Sequence, residues 1–362
     1  MKNYPPAEIR NFAIVGHASS GKTLLSEAML RCAGVISRMG SIADGTTVSD
    51  YHVSEKQRQI SVSATLMHAD WSGKKFNLID TPGYLDFISE GLGALRVGDF
   101  ALVVIHAQHG LGVGTDRVWN YATGYGIPKM IVVNALDREN VDFDAVTKSA
   151  QEHFGRHVFP LSVPVNIGPG FNRTLDVLRN EVVTYATDGS GKYTEEPATG
   201  ELGEQVKALH RELIEHIAES DDGLMNKYFE QGSLSEEEFR AGIHAAVQKE
   251  LFIPLFAVSA EKNVGVARLM DFIAKYGSSP VDRKNVPAID AGGNETEVKL
   301  DSAETVAYIF KHMTEAQFGE LSFFRVYSGT VTTGTDLFNS DRKVTERVGQ
   351  IFLLNGQTRE AV

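Results

Sequence analysis

The first half of the chain alternates short apolar runs with helical patterns. The second apolar run alternates with polar residues, which predicts a half-exposed edge strand, whereas the others are almost continuously apolar, as in parallel strands covered on both faces. The five strand-like runs are NFAIVG (11–16), SVSATLMHADW (61–71), KFNLID (75–80), DFALVVIHA (99–107) and PKMIVVNALD (128–137). After the first run, GKTLLSEAMLRCAG predicts a helix that ends at Gly34. This alternation predicts an open α/β sheet, whose ligands lie outside the carboxyl ends of the strands.

The pattern changes after Asp137. Residues 166–200 are rich in Gly, Pro, Thr and Asn, and a helix then follows with one apolar face, formed by Val206, Leu209, Leu213, Ile214 and Ile217. Ser235 and Glu238 predict a capping box at the start of another helix. A strand pattern returns at 252–260, followed by a helix near 264–276. The stretch between the two strand patterns therefore reads as an insertion into the sheet domain.

The last part of the chain has a third pattern. Residues 278–298 have the composition of a linker, and short β runs with glycine turns follow, as in a small barrel. The predicted organisation is an α/β domain with an inserted α+β subdomain and then the start of an all-β barrel. Its predicted bounds are 1–156 and 252–280 for the α/β domain, 157–251 for the insertion, 281–298 for the linker and 299–362 for the partial barrel.

Composition narrows the class of protein. The 362 residues are 42% hydrophobic and 23% charged, which is ordinary for two or three globular domains. The single cysteine, Cys32, excludes an internal disulfide. A net charge of −12 would repel free nucleic acid, so we expect no DNA partner. The chain shows no signal-peptide pattern and no apolar run of membrane-spanning length, so we expect a cytoplasmic protein.

The segment GHASSGKT matches the phosphate-loop pattern G-x-x-x-x-G-K-[ST], between a predicted strand and a predicted helix. Backbone N–H groups of such a loop wrap a polyphosphate, and the helix N-terminus adds positive potential. Lys22 would reach the β- and γ-phosphates, and the Thr23 hydroxyl would bind Mg²⁺. The alternative is a glycine-rich turn that matches the pattern by chance. The position of the segment between a predicted strand and a predicted helix disfavours this alternative. The predicted phosphate-binding residues are Gly16, His17, Ala18, Ser19, Ser20, Gly21, Lys22 and Thr23.

Asp80 ends a second strand and opens the turn Asp-Thr-Pro-Gly. A carboxylate at that position, about sixty residues after the phosphate loop, is typical of the aspartate that holds Mg²⁺ in nucleotide-binding proteins. Gly83 could present a bare backbone N–H to the γ-phosphate. The same four residues also make a reasonable turn in any protein. Only the combination with the phosphate loop favours the metal site.

Two later strand ends could recognise a base. Asp137, at the end of NALD, can accept two hydrogen bonds from the N1–H and N2–H₂ groups of guanine, which adenine does not offer. A mismatched base would leave this carboxylate unpaired, which would give discrimination of ~10⁴. Asn134 would brace the neighbouring loop. Ser259 and Ala260 end the last strand, where a backbone N–H could meet the guanine O6.

The ordered set GHASSGKT, RQIS (58–61), DTPG, NALD and VSA resembles the translational GTPases, and elongation factor G most closely. The similarity extends to FNLIDTPGYLDF, LIEHIAESDDGLMNKYFEQGSLSEEEF, SAEKNVGVARLMDFI and GELSFFRVYSGTV. The resemblance implies a P-loop GTPase domain that binds GTP or GDP together with Mg²⁺. Ser61 would be one of the Mg²⁺ ligands. It also implies a monomer that acts on the ribosome, contacts ribosomal RNA and the stalk protein, and moves tRNA and mRNA or helps recycling. Full-length members continue into three further domains.

The chain departs from the family pattern at four positions. The family histidine that places the attacking water is Tyr84 here, and a phenol is neutral at physiological pH and a poor proton acceptor. Since such a group contributes about 10²–10⁴ in rate, we expect slow or absent GTP hydrolysis. Ala135 replaces the lysine over the base, Ser19 replaces an aspartate of the phosphate loop, and Ser61 replaces a Mg²⁺-binding threonine.

Other interpretations stay open at this point. Tyr84 could pack inward while another group orients the water, which would leave an ordinary hydrolysing GTPase. The protein could instead be a ribosome-binding regulator that uses GTP as a structural ligand. A P-loop kinase is disfavoured because it leaves NALD unexplained. The polar segment 33–58 fits either a loop ordered by the γ-phosphate and Mg²⁺ or a plain flexible loop.

Overall fold

The computed structural model describes residues 3–283, 285–290, 292–315 and 319–362. Helices and strands alternate over the first part of the chain, as the hydrophobic pattern predicts. In chain order these elements are β1 (Ile9–Gly16), α1 (Lys22–Cys32), α2 (Val53–Arg58), β2 (Thr65–Trp71), β3 (Lys74–Asp80), α3 (Ile88–Val97), β4 (Phe100–His106), α4 (Val113–Gly124), β5 (Lys129–Asn134), α5 (Phe143–Phe154) and β6 (Val158–Pro160).

The middle of the chain forms an antiparallel sheet followed by three helices, and the chain then returns to a strand and a largely buried helix. These elements are β7 (Ser162–Pro164), β8 (Arg173–Asp176), β9 (Glu181–Tyr185), β10 (Tyr193–Pro197), α6 (Gly200–Glu219), α7 (Asp222–Gln231), α8 (Glu236–Gln248), β11 (Ile253–Ala257) and α9 (Val266–Tyr276). Ser235 and Glu238 form the predicted capping box at the start of α8. The described residues contain no helix of the length and apolarity that crossing a membrane requires.

The last part of the chain is β-rich, with each strand paired antiparallel to its neighbour in sequence. Its strands are β12 (Asn285–Ile289), β13 (Glu295–Lys299), β14 (Val306–Glu315), β15 (Gly319–Ser328), β16 (Asp336–Asn339), β17 (Val344–Arg347), β18 (Phe352–Asn355) and β19 (Thr358–Ala361). Where composition predicted a linker, the structure has the hairpin of β12 and β13. That hairpin is largely exposed on both faces, so it carries almost no hydrophobic alternation from which strands could be predicted.

The main sheet has seven strands in the order β2-β3-β1-β4-β5-β11-β6. β2 lies at one edge, as its alternating pattern predicts. It is antiparallel to β3, while the other pairs are parallel. β6 pairs with β11 at the opposite edge, so residues 158–160 belong to this sheet although the predicted insertion began at 157. The carboxyl ends of β1, β3, β4, β5 and β11 meet at one edge of the sheet, where a ligand of such a fold would bind.

The β-rich part also covers the free edge of β2. The backbone N–H of Gly356, in the turn between β18 and β19, donates to the carbonyl oxygen of Leu66 at 3.0 Å. The side-chain amide of Asn355 donates to the carbonyl oxygen of His68 at 3.4 Å. A Cβ on Gly356 would lie 2.2 Å from the carbonyl oxygen of Val48, so only glycine allows this close approach. The hairpin is therefore seated against the edge strand and the segment before it.

The inserted part is tied to the end of the α/β domain through a histidine. His244 on α8 lies 2.9 Å from the carboxylate of Asp282 and 3.3 Å from the carbonyl oxygen of Tyr276. The hydrogen bond with Asp282 raises the pKa of His244. Burial acts to raise the pKa of Asp282, but hydrogen bonds from His244 and Ser279 outweigh it, so the pKa of Asp282 is lowered. The contact is therefore charge-assisted when His244 is protonated.

This contact predicts a pH-dependent contribution to stability. Because the pKa of His244 is raised on folding, its contribution is complete below the ordinary histidine pKa of about 6.5 and is lost as pH rises through the folded value. We expect the substitution His244→Gln to lower the thermal midpoint more at about pH 6 than at about pH 9. Thermal unfolding of both proteins at the two pH values measures this difference. Equal losses at both values would contradict the assignment.

Candidate functional site

The phosphate loop lies at the predicted edge, between the end of β1 and the start of α1. Three of its residues have positive φ: Gly16 (147°), Ser19 (60°) and Gly21 (89°). A Cβ on Gly21 would lie 2.1 Å from Nδ2 of Asn134, so glycine is required where the loop meets the end of β5. The sequence GHASSGKT thus folds as a tight loop that opens a helix, as its pattern predicts.

Lys22 lies inside this loop. Its ammonium group donates to the carbonyl oxygens of Gly16 at 3.2 Å and His17 at 2.8 Å. Burial lowers the pKa of Lys22 to about 8, although Asp80 and Asp50 act in the opposite direction. A buried ammonium that has only carbonyl partners is strongly favoured by an added anion. A polyphosphate in the loop would provide that anion.

Asp80 connects hydroxyl groups at the end of β3. Its Oδ2 accepts hydrogen bonds from Thr23 at 2.8 Å and from Ser49 at 2.6 Å. The Thr23 hydroxyl also lies 3.1 Å from the Ser61 hydroxyl. The structure therefore brings the three predicted Mg²⁺ residues, Thr23, Ser61 and Asp80, into one cluster. Burial raises the pKa of Asp80, while the hydrogen bonds from Ser49 and Thr23 and the charge of Lys22 oppose that shift.

Asp50 is a site residue that the sequence pattern did not single out. It is buried beside this cluster, and neither of its carboxylate oxygens accepts a hydrogen bond of ordinary geometry from the described residues. Burial and the neighbouring Asp80 raise the pKa of Asp50 to about 7, and the Ser61 hydroxyl opposes them. It stands in a polar loop with no periodicity, so nothing in the sequence distinguished it from an exposed aspartate.

The cluster fits a magnesium ion. Oδ1 of Asp80 and both oxygens of Asp50 are buried without a hydrogen-bond partner among the described residues, next to the hydroxyls of Thr23 and Ser61. The charge of Asp80 raises the pKa of the neighbouring Asp50 carboxyl, and a divalent cation relieves such repulsion. Carboxylate and hydroxyl oxygens are the hard ligands that Mg²⁺ prefers. The residues present therefore match the ion that the sequence predicts.

The residues predicted to recognise a base lie together at the ends of β5 and β11. Asn134 donates from Nδ2 to the carbonyl oxygen of Ser20 at 2.9 Å, and its Oδ1 accepts from the backbone N–H of Ala260 at 2.9 Å. The Ser259 hydroxyl donates to Oδ1 of Asp137 at 2.6 Å. Asn134 thus joins the phosphate loop to the last strand end. We expected the Ala260 N–H near the guanine O6, but in this structure it donates to Oδ1 of Asn134.

The turn after Asp80 closes against the phosphate loop. A Cβ on Gly83 would lie 2.4 Å from Nζ of Lys22 and 2.7 Å from the backbone nitrogen of Ala18. The next side chain, Tyr84, is 41% exposed, which contradicts the interpretation that it packs inward. His17, which also belongs to the loop, accepts a hydrogen bond at Nδ1 from the backbone N–H of Gly114 at 3.2 Å. Gly83 is thus placed beside the phosphate loop, and Tyr84 is exposed to solvent.

Two buried glutamates hold the backbone on the two sides of Ser61. Glu27 on α1 accepts hydrogen bonds from the backbone N–H groups of Gly40 at 2.7 Å and Val48 at 2.6 Å. Glu55 on α2 accepts from the N–H groups of Val62 and Ser63 at 3.0 and 3.1 Å. In this structure the backbone before and after Ser61 is held by these two glutamates, and the composition of the segment did not predict these contacts.

Comparison with known proteins identifies the family. A family model described as the elongation factor Tu GTP binding domain matches residues 7–279. The chain belongs to this family. As a translational GTPase it carries its phosphate loop, its Asp80 turn and NALD within the matched region. The α/β fold with a P-loop GTPase sheet and a following β-rich part agrees with the architecture predicted from the motifs.

A crystal structure of a protein from Thermus thermophilus is similar over almost the whole chain. The TM-score is 0.86 with 30% sequence identity, and the match covers 98% of this chain and 50% of that protein. This translational GTPase chain therefore spans about half the length of that relative. The similarity includes the β-rich part beyond residue 279, which the family model does not reach.

Proposed function

We propose that this translational GTPase binds Mg²⁺·GTP and acts as an elongation factor of the G type. Its proposed role is to promote movement of tRNA and mRNA on the ribosome, with slow or absent GTP hydrolysis. The observation that carries the proposal is the meeting of the phosphate loop, the Asp80 cluster and the pair Asn134–Asp137 at one edge of a single sheet. Kinases share the first two features but do not need the third.

Each part of the site has a chemical role in this proposal. Lys22 and the loop N–H groups bind the β- and γ-phosphates, and Gly83 contacts the γ-phosphate. Thr23, Ser61 and Asp80 hold Mg²⁺, with Asp50 beside them, and the ion would neutralise charge on the phosphate oxygens. Asp137 accepts from the guanine N–H groups, Asn134 braces the loops, and Ser259 and Ala260 complete the base pocket.

Hydrolysis needs a group that orients water toward the γ-phosphate, and Tyr84 is poorly suited to that task. Its side chain is exposed and a phenol is a weak proton acceptor. GTP would then act by differential binding, since it favours the conformation with ordered switch segments. The proposed partners are ribosomal RNA, the stalk protein, which the inserted subdomain would contact, and the cytoplasmic ribosome as a whole.

Two alternatives make different predictions. An ordinary translocation or recycling GTPase would hydrolyse GTP quickly on ribosomes despite Tyr84. A regulatory factor that uses GTP as a structural ligand would bind GDP and GTP alike. The buried Asp50–Asp80 pair fits a bound Mg²⁺ in each case, so the relative affinity for GDP and GTP distinguishes the alternatives.

The test is a translocation assay with the full-length protein and GTP, GDP or a non-hydrolysable analogue, together with equilibrium binding of GTP, GDP and ATP. We expect tight binding of guanine nucleotides, weak binding of ATP, and similar translocation with GTP and its analogue. Lys22→Ala serves as the control that removes phosphate binding. Equal affinity for GTP and ATP would refute the proposed function, and no translocation with any nucleotide would refute the proposed role.

A further inference from the structure

A lysine of the β-rich part reaches into the α/β domain. The ammonium group of Lys311 on β14 donates to the hydroxyl of Ser63, to the carbonyl oxygen of Ala64 at 2.6 Å and to Oε2 of Glu90 at 2.9 Å. Its side chain is only 7% exposed. Three N–H donors therefore have three partners, which is the full capacity of an ammonium group.

The segment that Lys311 contacts follows directly after Ser61. Ser63 and Ala64 come two and three residues after that candidate Mg²⁺ ligand, in the loop that leads into β2. The backbone N–H of Ala64 donates to Oε2 of Glu90 at 2.7 Å, the same oxygen that accepts from Lys311. On its other side the segment is held by Glu55. The loop is thus fixed between α2, α3 and β14.

Local features of β14 and α3 make this reach possible. The pairing of β14 with β15 shifts register between Ile309 and Lys311, so the strand has a bulge at Phe310. Bulges redirect the side chains beside them. A Cβ on Gly93 would lie 2.9 Å from the carbonyl oxygen of Phe310, so a glycine in α3 allows the bulged backbone to come this close. Glu90 lies one turn before Gly93 and faces the same strand.

The carboxyl end of α3 is held by the same hairpin. Arg325 on β15 donates to the carbonyl oxygen of Val97 and to the carboxylate of Asp99, both at 2.6 Å. The hydroxyl of Tyr327 donates to the carbonyl oxygen of Arg96 at 3.0 Å. The helix that follows the Gly83 turn is therefore fixed to the hairpin along its length. The position of the hairpin and the position of α3 are linked.

We propose that Lys311 is a positioning residue for Ser61, so that Mg²⁺·GTP binding depends on the seating of the β14–β15 hairpin. This inference rests on the proposed function, in which Ser61 helps to hold Mg²⁺ and GTP favours the conformation with ordered switch segments. A buried ammonium is costly unless all its partners are in place. The Lys311 contacts therefore favour the arrangement in which the segment after Ser61, α3 and the hairpin are correctly placed together.

The test compares Lys311→Met with Lys343→Met in the full chain. Methionine keeps the apolar stem of Lys311 and removes its ammonium group, and Lys343 is an exposed lysine of the same β-rich part. We expect Lys311→Met to weaken GTP binding about fivefold or more while GDP binding changes less than about twofold, in the range of ordinary coupling between sites. Lys343→Met is expected to change neither affinity.

A second readout does not depend on nucleotide. Hydrogen exchange at the amides of Val62, Ser63 and Ala64 is expected to be faster in nucleotide-free Lys311→Met than in the wild type, and unchanged in Lys343→Met. Ser63→Ala removes one contact from the other side. In the double variant, the loss of GTP-binding free energy is expected to be smaller than the sum of the losses in the two single variants. This variant keeps the proposal testable if Lys311→Met unfolds.

The outcomes separate the two levels of the proposal. If the wild type shows no preference for guanine nucleotides, the proposed function fails, while the exchange measurement still tests the Lys311 contact. If the wild type prefers GTP over ATP but Lys311→Met weakens GTP and GDP equally, Lys311 is only a structural contact and the inference is wrong. Unchanged exchange at the three amides, or additive effects of the two substitutions, would also overturn it.

Discussion

Tyr84→His is expected to raise GTP turnover on ribosomes by about 10²-fold or more. An imidazole at the position after Gly83 can accept a hydrogen bond from the attacking water, and a positioned group of this kind contributes about 10²–10⁴ in rate. Tyr84 is exposed beside the turn that closes over the phosphate loop, so the larger phenol can be exchanged for imidazole without a cavity. Single-turnover and steady-state GTPase measurements with ribosomes would check the gain.

Tyr84→Phe is the matched control for this substitution. It removes the hydroxyl and keeps the ring, so its turnover is expected to stay as low as that of the wild type. GTP affinity is expected to be the same in all three proteins, since the phosphate loop is untouched. Brisk wild-type turnover, or no increase in Tyr84→His, would show that another group orients the water.

Asp137→Asn is expected to weaken GTP binding on the order of 10³-fold and to create a preference for xanthosine triphosphate. The carboxylate is buried, and its Oδ1 is held by the Ser259 hydroxyl at 2.6 Å. Asparagine presents an N–H group where guanine also presents one, so a buried hydrogen bond is lost and two donors meet. Xanthine carries a carbonyl oxygen in place of the amino group and pairs with that amide.

Competition between GTP and xanthosine triphosphate for binding to the wild type and to Asp137→Asn measures this change in nucleotide preference. Asp144→Asn, an exposed aspartate on α5, makes the same change of charge away from the site and is expected to leave both affinities unchanged. If Asp137→Asn kept wild-type affinity for GTP, Asp137 would not read the base. A loss of both nucleotides with a collapse of thermal stability would instead show that the Ser259 contact is structural.

The sequence predicts the parts of the site that are local in the chain. GHASSGKT and the Asp80 turn combine a strand end with a glycine-containing turn, and such short-range patterns keep their geometry in the fold. The parallel sheet then brings successive strand ends to one edge, which explains why Asp137 and Ser259 could be placed together from the sequence. The edge position of β2 was likewise readable from its alternation.

The remaining contacts join residues that are far apart in the sequence. Asp50 lies near Asp80 only because the loop that contains it folds back onto the sheet. Glu27 binds that loop from α1, and the sequence pattern of α1 predicted a helix but not these contacts. Lys311 lies more than two hundred residues from Glu90, and neither residue belongs to a motif. Such contacts have no local signal, since a single carboxylate or lysine in a polar stretch looks like a solvated side chain. Only the folded chain distinguishes them.

The turn at Gly356 has a consequence for self-association. β2 is an outermost strand whose N–H and C=O groups could accept a strand from another molecule, which is a common route to aggregation. The Gly356 and Asn355 hydrogen bonds occupy backbone carbonyls on that side, and Val48 fills the space next to them. The β-rich part thereby covers part of the exposed edge of the sheet, and its removal is expected to leave that edge open to strand pairing with other molecules.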